Sequence, residues 1–214
     1  MPDLQNFLLF ALAALMLNIT PGNDMIFVIS RSLSYGTKAG IYAALGIGLG
    51  CFVHIFASVV GLSVIIKQSE ILFNIIRYAG AAYLIFIGIK SFMEKPSTMI
   101  FNQSQNDKNT NLKILRQGTI TNVLNPKVSL FFLAFLPQFV RVASHDNHSE
   151  NITSQILFLG LWFNFSGTVV NVLIALLFSK IIAKLSNFQQ FWKIQNKISG
   201  AVLVALGLQI ALKK

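Results

Sequence analysis

Long apolar stretches separated by short polar joints dominate the chain. Crossing the hydrocarbon core of a bilayer as helix takes about 20 mostly apolar residues. Six stretches qualify: about Leu4–Ile29, Ala39–Ile66, Ile71–Met93, Thr119–Val140, Ile152–Ser179 and Ile198–Leu212. Arg77 interrupts the third, and the sixth is short enough to need help from Trp192 and flanking lysines. The pattern predicts an all-α, polytopic membrane protein of about six transmembrane helices, with a five-span count as the alternative. The one real linker, 95–116, is rich in Asn, Gln, Ser and Lys. It divides a single integral domain, 1–214, into halves of about 1–94 and 117–214. With three spans in each, the second half must be inverted relative to the first.

Composition agrees. Hydrophobic residues make up 54% and charged residues 11% of the 214, with a mean hydropathy of +0.66. An average soluble domain carries roughly 25% charge, so a soluble enzyme or adaptor is excluded and lipid is the expected solvent. The net charge of +10 forms no contiguous stripe of the kind nucleic acid would need, because Lys and Arg fall between the apolar runs. In a membrane protein that surplus marks the cytoplasmic face. Eleven basic residues (Arg31, Lys38, Lys90, Lys95, Lys108, Lys113, Arg116, Lys180, Lys184, Lys193, Lys197) collect on one side. Four (Lys67, Arg141, Lys213, Lys214) collect on the other. The first side is therefore expected inside, with both termini outside for six spans. If the first or third segment fails to span, the N-terminus moves inside while the C-terminus stays out. MPDLQNFLLF lacks a basic n-region, so the first apolar stretch is expected to be retained. The single cysteine, Cys51, excludes an internal disulfide or a metal cluster.

Two polar, proline-bearing breaks interrupt the hydrophobic segments about 105 residues apart. One is Asn18-Ile-Thr-Pro21-Gly22-Asn23-Asp24, and the other is Asn122-Val-Leu-Asn125-Pro126-Lys127. The first and fourth helices are therefore expected to be broken, and paired breaks of this kind point to the binding site of a transporter. Asp24 is the only acid inside an apolar span, and a charge at a helix centre costs about 3 kcal/mol on translocon scales. Its structural reading has Thr20 capping a helix, Pro21 opening it and Asp24 in the first turn, where a carboxylate favours the dipole. Its functional reading is an anionic site for a substrate ammonium group or a proton. Lys127 follows a cap at Asn125 and a helix start at Pro126, which sets a cation against the positive end of a dipole. It either snorkels to the surface or is buried as partner of Asp24 or of a substrate carboxylate. A zwitterion matches the pair.

Other polar residues in the spans have two readings each. Histidine has the reference pKa nearest neutrality, and His54 either couples protons or hydrogen-bonds across helices. Arg77 either snorkels or lines a path. Asn164, Ser166, Thr168 and Asn171 suit interhelical bonds first and pathway lining second. Gly36, Gly40, Gly46 and Gly50 make two GxxxG pairs, and Gly80 and Gly88 follow in the third span; close packing explains them all. An intramembrane aspartyl protease needs two aspartates and a metalloprotease needs clustered ligands. The spans supply one Asp and one His, so no enzyme, cofactor or metal is expected.

Taken together, Pro21-Gly22-Asn23-Asp24, the glycines from Gly36 through Gly50 to His54, Gly80-Ala-Ala-Tyr83-Leu84 through Gly88, and Gly118 through Asn122 and Asn125-Pro126-Lys127 to Phe131-Phe132 resemble the lysine exporter/homoserine–threonine resistance (LysE/RhtB) translocators. The resemblance covers nearly the whole chain. The family pattern places a second proline where Asn23 stands. The resemblance implies an amino-acid exporter of the bacterial inner membrane, driven by proton exchange. One intramembrane acid favours neutral substrates such as homoserine, threonine or a branched-chain amino acid over dibasic ones. A small-ion permease or channel is the alternative. A homodimer through the glycine faces is left open.

Overall fold

The computed structural model describes residues 4–68, 70–93, 110–140, 152–180 and 188–212, and among these it is all helix and turn. The elements are α1 (Leu4–Ile19), α2 (Asn23–Tyr35), α3 (Thr37–Gln68), α4 (Glu70–Met93), α5 (Thr110–Val123), α6 (Pro126–Leu130), α7 (Ile152–Lys180) and α8 (Phe188–Leu212). A π-helical turn, Phe131–Phe135, and a 3-10 turn, Leu136–Phe139, continue α6. Among the described residues, Thr37–Gly61, Asn74–Met93 and Ile152–Phe178 are long and apolar enough to span alone. α1 with α2, and α5 with the segment to Phe139, form two bent pairs, at 49° and 45°, and bring the total to five. The sixth expected span appears as Gly200–Leu212, the shorter apolar end of the 25-residue α8. The broken first and fourth helices stand as read from the sequence.

The linker boundary needs correction. Residues 110–116, assigned to the linker, are helical and open α5, while 95–109 lie outside the described residues. Hydropathy missed this turn because Lys113 and Arg116 face outward. Ile114 beside them is buried.

Packing joins elements far apart in sequence. α3 lies on α7 and α4 on α8, and α3 also packs along α5. Glycines set these approaches. A methyl at Gly50 would come within 2.6 Å of the Thr119 carbonyl oxygen, and one at Gly118 within 2.7 Å of that of Ala43. Gly88 and Gly200 face each other's carbonyls across α4 and α8. The glycines of both GxxxG pairs except Gly36 therefore pack within the chain. Gly36 instead takes φ 85° at the tight α2–α3 turn, where a side chain would be strained. Outward faces carry large apolar residues, among them Phe56 and Phe165, as a lipid-facing surface requires.

Two buried clusters fill the interior. One is aromatic, built by Phe10, Phe131, Phe132, Phe135, Phe139 and Phe163. Phe131 stacks on Phe163 with ring centroids 4.5 Å apart. The other is aliphatic and small, built mainly by Val28, Ile29, Ala39, Ala43, Ala44, Ile174 and Ala175. They occupy opposite ends of the bundle.

Candidate functional site

The two breaks meet between these clusters. In the first, α1 closes when Thr20 N and Oγ1 both donate to the Met16 carbonyl, at 3.0 and 2.7 Å. Pro21 has no N–H to continue the helix. Gly22 is extended, and α2 begins at Asn23 with Gly22 as an N-cap lacking any side-chain bond. Thr20 and Pro21 are thus not the cap and first residue of α2, contrary to the sequence reading. Thr20 ends the preceding helix because its hydroxyl finds a carbonyl one turn back. Asp24 does lie in the first turn of α2.

The second break follows the local expectation. The Asn125 side-chain oxygen accepts from Lys127 N at 3.0 Å, and Pro126 opens α6. Its missing N–H is one of the donors a first turn leaves unpaired in any case.

Each break then completes the other. The Lys127 ammonium donates to the Leu17 carbonyl at 3.0 Å and the Thr20 carbonyl at 2.8 Å. Its cation sits at the negative end of α1, which resolves the apparent conflict with the dipole of α6. Lys127 and Asp24 attract each other across the cavity, while the hydrogen bonds of the ammonium go to the Leu17 and Thr20 carbonyls. Asp24 Oδ2 accepts instead from Asn122 Nδ2, at 2.8 Å, at the end of α5. Its other oxygen, Oδ1, is buried without a partner, as are Asn122 Oδ1 and Asn125 Nδ2. His54 is buried and bonds through Nε2 to the Asn122 carbonyl at 2.9 Å. A carbonyl can only accept, so Nε2 is the protonated nitrogen. The ring stacks on Phe132.

A cavity of about 30 Å³ opens at this junction. Asn18, Thr20, Asp24, Asn122 and Lys127 line it from the broken helices. Asn164, Thr168 and Asn171 line it from α7, with Ile47, Cys51 and Phe163 as apolar wall. These positions lie near mid-length of α3 and α7. The volume suits two or three waters. A free amino acid needs the clusters to part.

Of the residues singled out from sequence, Asn18, Asp24 and Lys127 share the cavity wall. Asn18 holds its position by donating to Ser166 Oγ at 3.1 Å. Gly22 touches the site from behind, since a methyl there would come within 3.2 Å of Lys127 Nζ. Asn125 positions Lys127, and His54 reaches the site only through Asn122. Pro21, Asn23 and Pro126 do not line the cavity, and Asn23 and Pro126 are exposed. Their effect is on the backbone path. Arg77 belongs elsewhere: its guanidinium donates to the Ile210 carbonyl near the end of α8. Asn122 is the residue sequence reasoning undervalued. Its signal was present, an amide one turn before a break in an apolar helix, opposite an acid at the other break.

Fold and site together define a polytopic α-helical membrane protein whose two interrupted helices meet at a central polar cavity. A family profile, LysE type translocator, matches residues 15–214. The membrane protein YrhP of Bacillus subtilis (strain 168) is 36% identical over 208 residues, covering 93% of this chain and 95% of its own. A leucine efflux protein of Klebsiella pneumoniae is 32% identical over 137 residues, 64% of each chain. Another, from an Enterobacter species, is 31% identical over 65% of each. No solved structure matches. The chain belongs to the LysE/RhtB translocator family.

Proposed function

We propose that this protein is a secondary transporter that exports neutral amino acids across the bacterial inner membrane in exchange for protons. One observation carries the reading: Asp24 Oδ1, a buried carboxylate oxygen with no partner, stands in a wall that also presents Lys127 and an uncapped helix start. A substrate ammonium group supplies the donor that Oδ1 lacks. An ammonium such as that of Lys127 has three N–H donors. Two are engaged on the Leu17 and Thr20 carbonyls, and the third, with the positive end of α2 close by, meets the substrate carboxylate. The leucine efflux relatives support an amino-acid cargo, and the single carboxylate in the wall supports a neutral one.

Asp24 also serves as the proton site, with Asn122 holding its Oδ2 and His54 holding the Asn122 carbonyl. Proton and substrate ammonium then compete for one oxygen, which is the condition for exchange. The apolar clusters on either side act as alternate gates, and closed packing at both ends disfavours a continuous pore. The basic side of the sequence faces the cytoplasm, which sets the termini outside.

The test is counterflow of leucine, threonine, homoserine and lysine in proteoliposomes. Saturable exchange of neutral substrates is expected, and Asp24→Asn should lower it about 100-fold through loss of a buried charge-assisted contact. Unsaturable ion conductance without exchange would replace the carrier by a pore.

A further inference from the structure

We propose that the carbonyl cup at the end of α1 is a monovalent-cation site, and that this chain fills it with its own tethered cation, the Lys127 ammonium. The Leu17 carbonyl in the last turn of α1 accepts from Thr20 N at 3.2 Å and keeps a second lone pair, and the Thr20 carbonyl follows just past the helix end, where the helix carries partial negative charge. Pro21 follows and offers no N–H for the regular helical bond to the Leu17 carbonyl. Gly22 leaves the approach open: a methyl there would lie 3.2 Å from Nζ and 3.5 Å from Cε. The cup presents only oxygen, with the Asp24 carboxylate and the Asn18 side chain in the same cavity. Such a set suits a hard or ammonium-type cation rather than a soft metal.

The tether changes what the site does. A free ion would come and go with each cycle, whereas Lys127 is anchored on α6, in the opposite half. The cup is filled when the two breaks meet and empties only when they part. Lys127 is thus a positioning residue that couples the approach of the halves to charge neutralisation in the cavity.

The experiment removes the tether and offers the ion back. Its transport arm rests on the exchange reading above, and its melting arm does not. Purified Lys127→Ala should lose exchange by roughly tenfold or more, the scale of one charged hydrogen bond. Symmetric millimolar ethylammonium in a gradient-free counterflow assay should restore at least a third of it and raise the melting temperature. Tetramethylammonium, which has no N–H, should do neither. Lys127→Met fills the stem space without a charge, so ethylammonium should leave it unrestored. Lys127→Gln keeps a donor for the carbonyls and guards against misfolding; it should fold and still lose exchange. The proposal is overturned if Lys127→Gln exchanges like the wild type. It also falls if neither ethylammonium nor sodium stabilises Lys127→Ala, or if amines restore Lys127→Met equally. Absence of counterflow in the wild-type protein would defeat the transport reading alone, leaving the melting comparison to decide the site.

Discussion

The two breaks solve one physical problem in different ways. Each must end a helix inside an apolar bundle, where an unpaired backbone group is costly. The second break is closed mostly by its own neighbours: Asn125 caps Lys127 N, and Ser129 Oγ returns to the Asn125 carbonyl at 3.1 Å. The first break has no such local closure at the start of α2, and its carbonyls are taken by a lysine 107 and 110 residues away in sequence. A locally capped break keeps the start of its second helix by itself, although His54 still holds the Asn122 carbonyl before it. A break capped by its counterpart is complete only when the halves are together. The asymmetry makes the first break the more responsive of the two.

Three substitutions sharpen this contrast, beginning with the residue that joins the breaks. Asn122→Leu removes the donor to Asp24 Oδ2 while keeping the volume. It leaves a buried carboxylate with no side-chain bond from α5. Exchange should fall at least tenfold, and stability by about 2–3 kcal/mol, on the scale of hydrogen bonds to charged groups. Melting in detergent alongside counterflow reads both. An unchanged melting curve would mean the two breaks are not held together through this amide.

Asn125→Ala removes the local cap of the second break and an amide beside Asp24. The expected loss is about 1 kcal/mol, the usual size for an N-cap, seen as a melting shift of a few degrees with substrate affinity preserved. Altered substrate selectivity in that variant would show that the second break is as responsive as the first.

The smallest effect is expected from Thr20→Val. Were Thr20 the N-cap of α2, the change would cost about 1 kcal/mol. Its hydroxyl instead doubles a bond that Thr20 N already makes to the Met16 carbonyl. The loss should stay under about 0.5 kcal/mol, since a shape-conserving apolar replacement is nearly neutral. A drop comparable to that of Asn125→Ala would restore Thr20 as a cap.

The same contrast governs what could be read in advance. Asn125-Pro126 announced the second break because cap and first helical residue are adjacent in sequence, and adjacency is all that capping rules use. The rule failed at Thr20-Pro21 because the hydroxyl had an equally near carbonyl behind it, and only the bent chain path decides between them. Arg77 and Lys127 show the point at longer range. Each looked like a charge in search of water or a pathway, and each ends on backbone carbonyls more than a hundred residues away in sequence.

Hydropathy alone determined the all-helical, membrane-embedded class, because lipid leaves no alternative for backbone polar groups over such lengths. The two breaks and the opposite charges beside them were equally plain in the order of residues. Which oxygen received the lysine, which amide held the aspartate and how small the cavity is were decided only by the packing of α3 on α5 and on α7. Those contacts join groups about a hundred residues apart. Hydrogen bonds of that span depend on distances of a few ångströms, which no local pattern encodes.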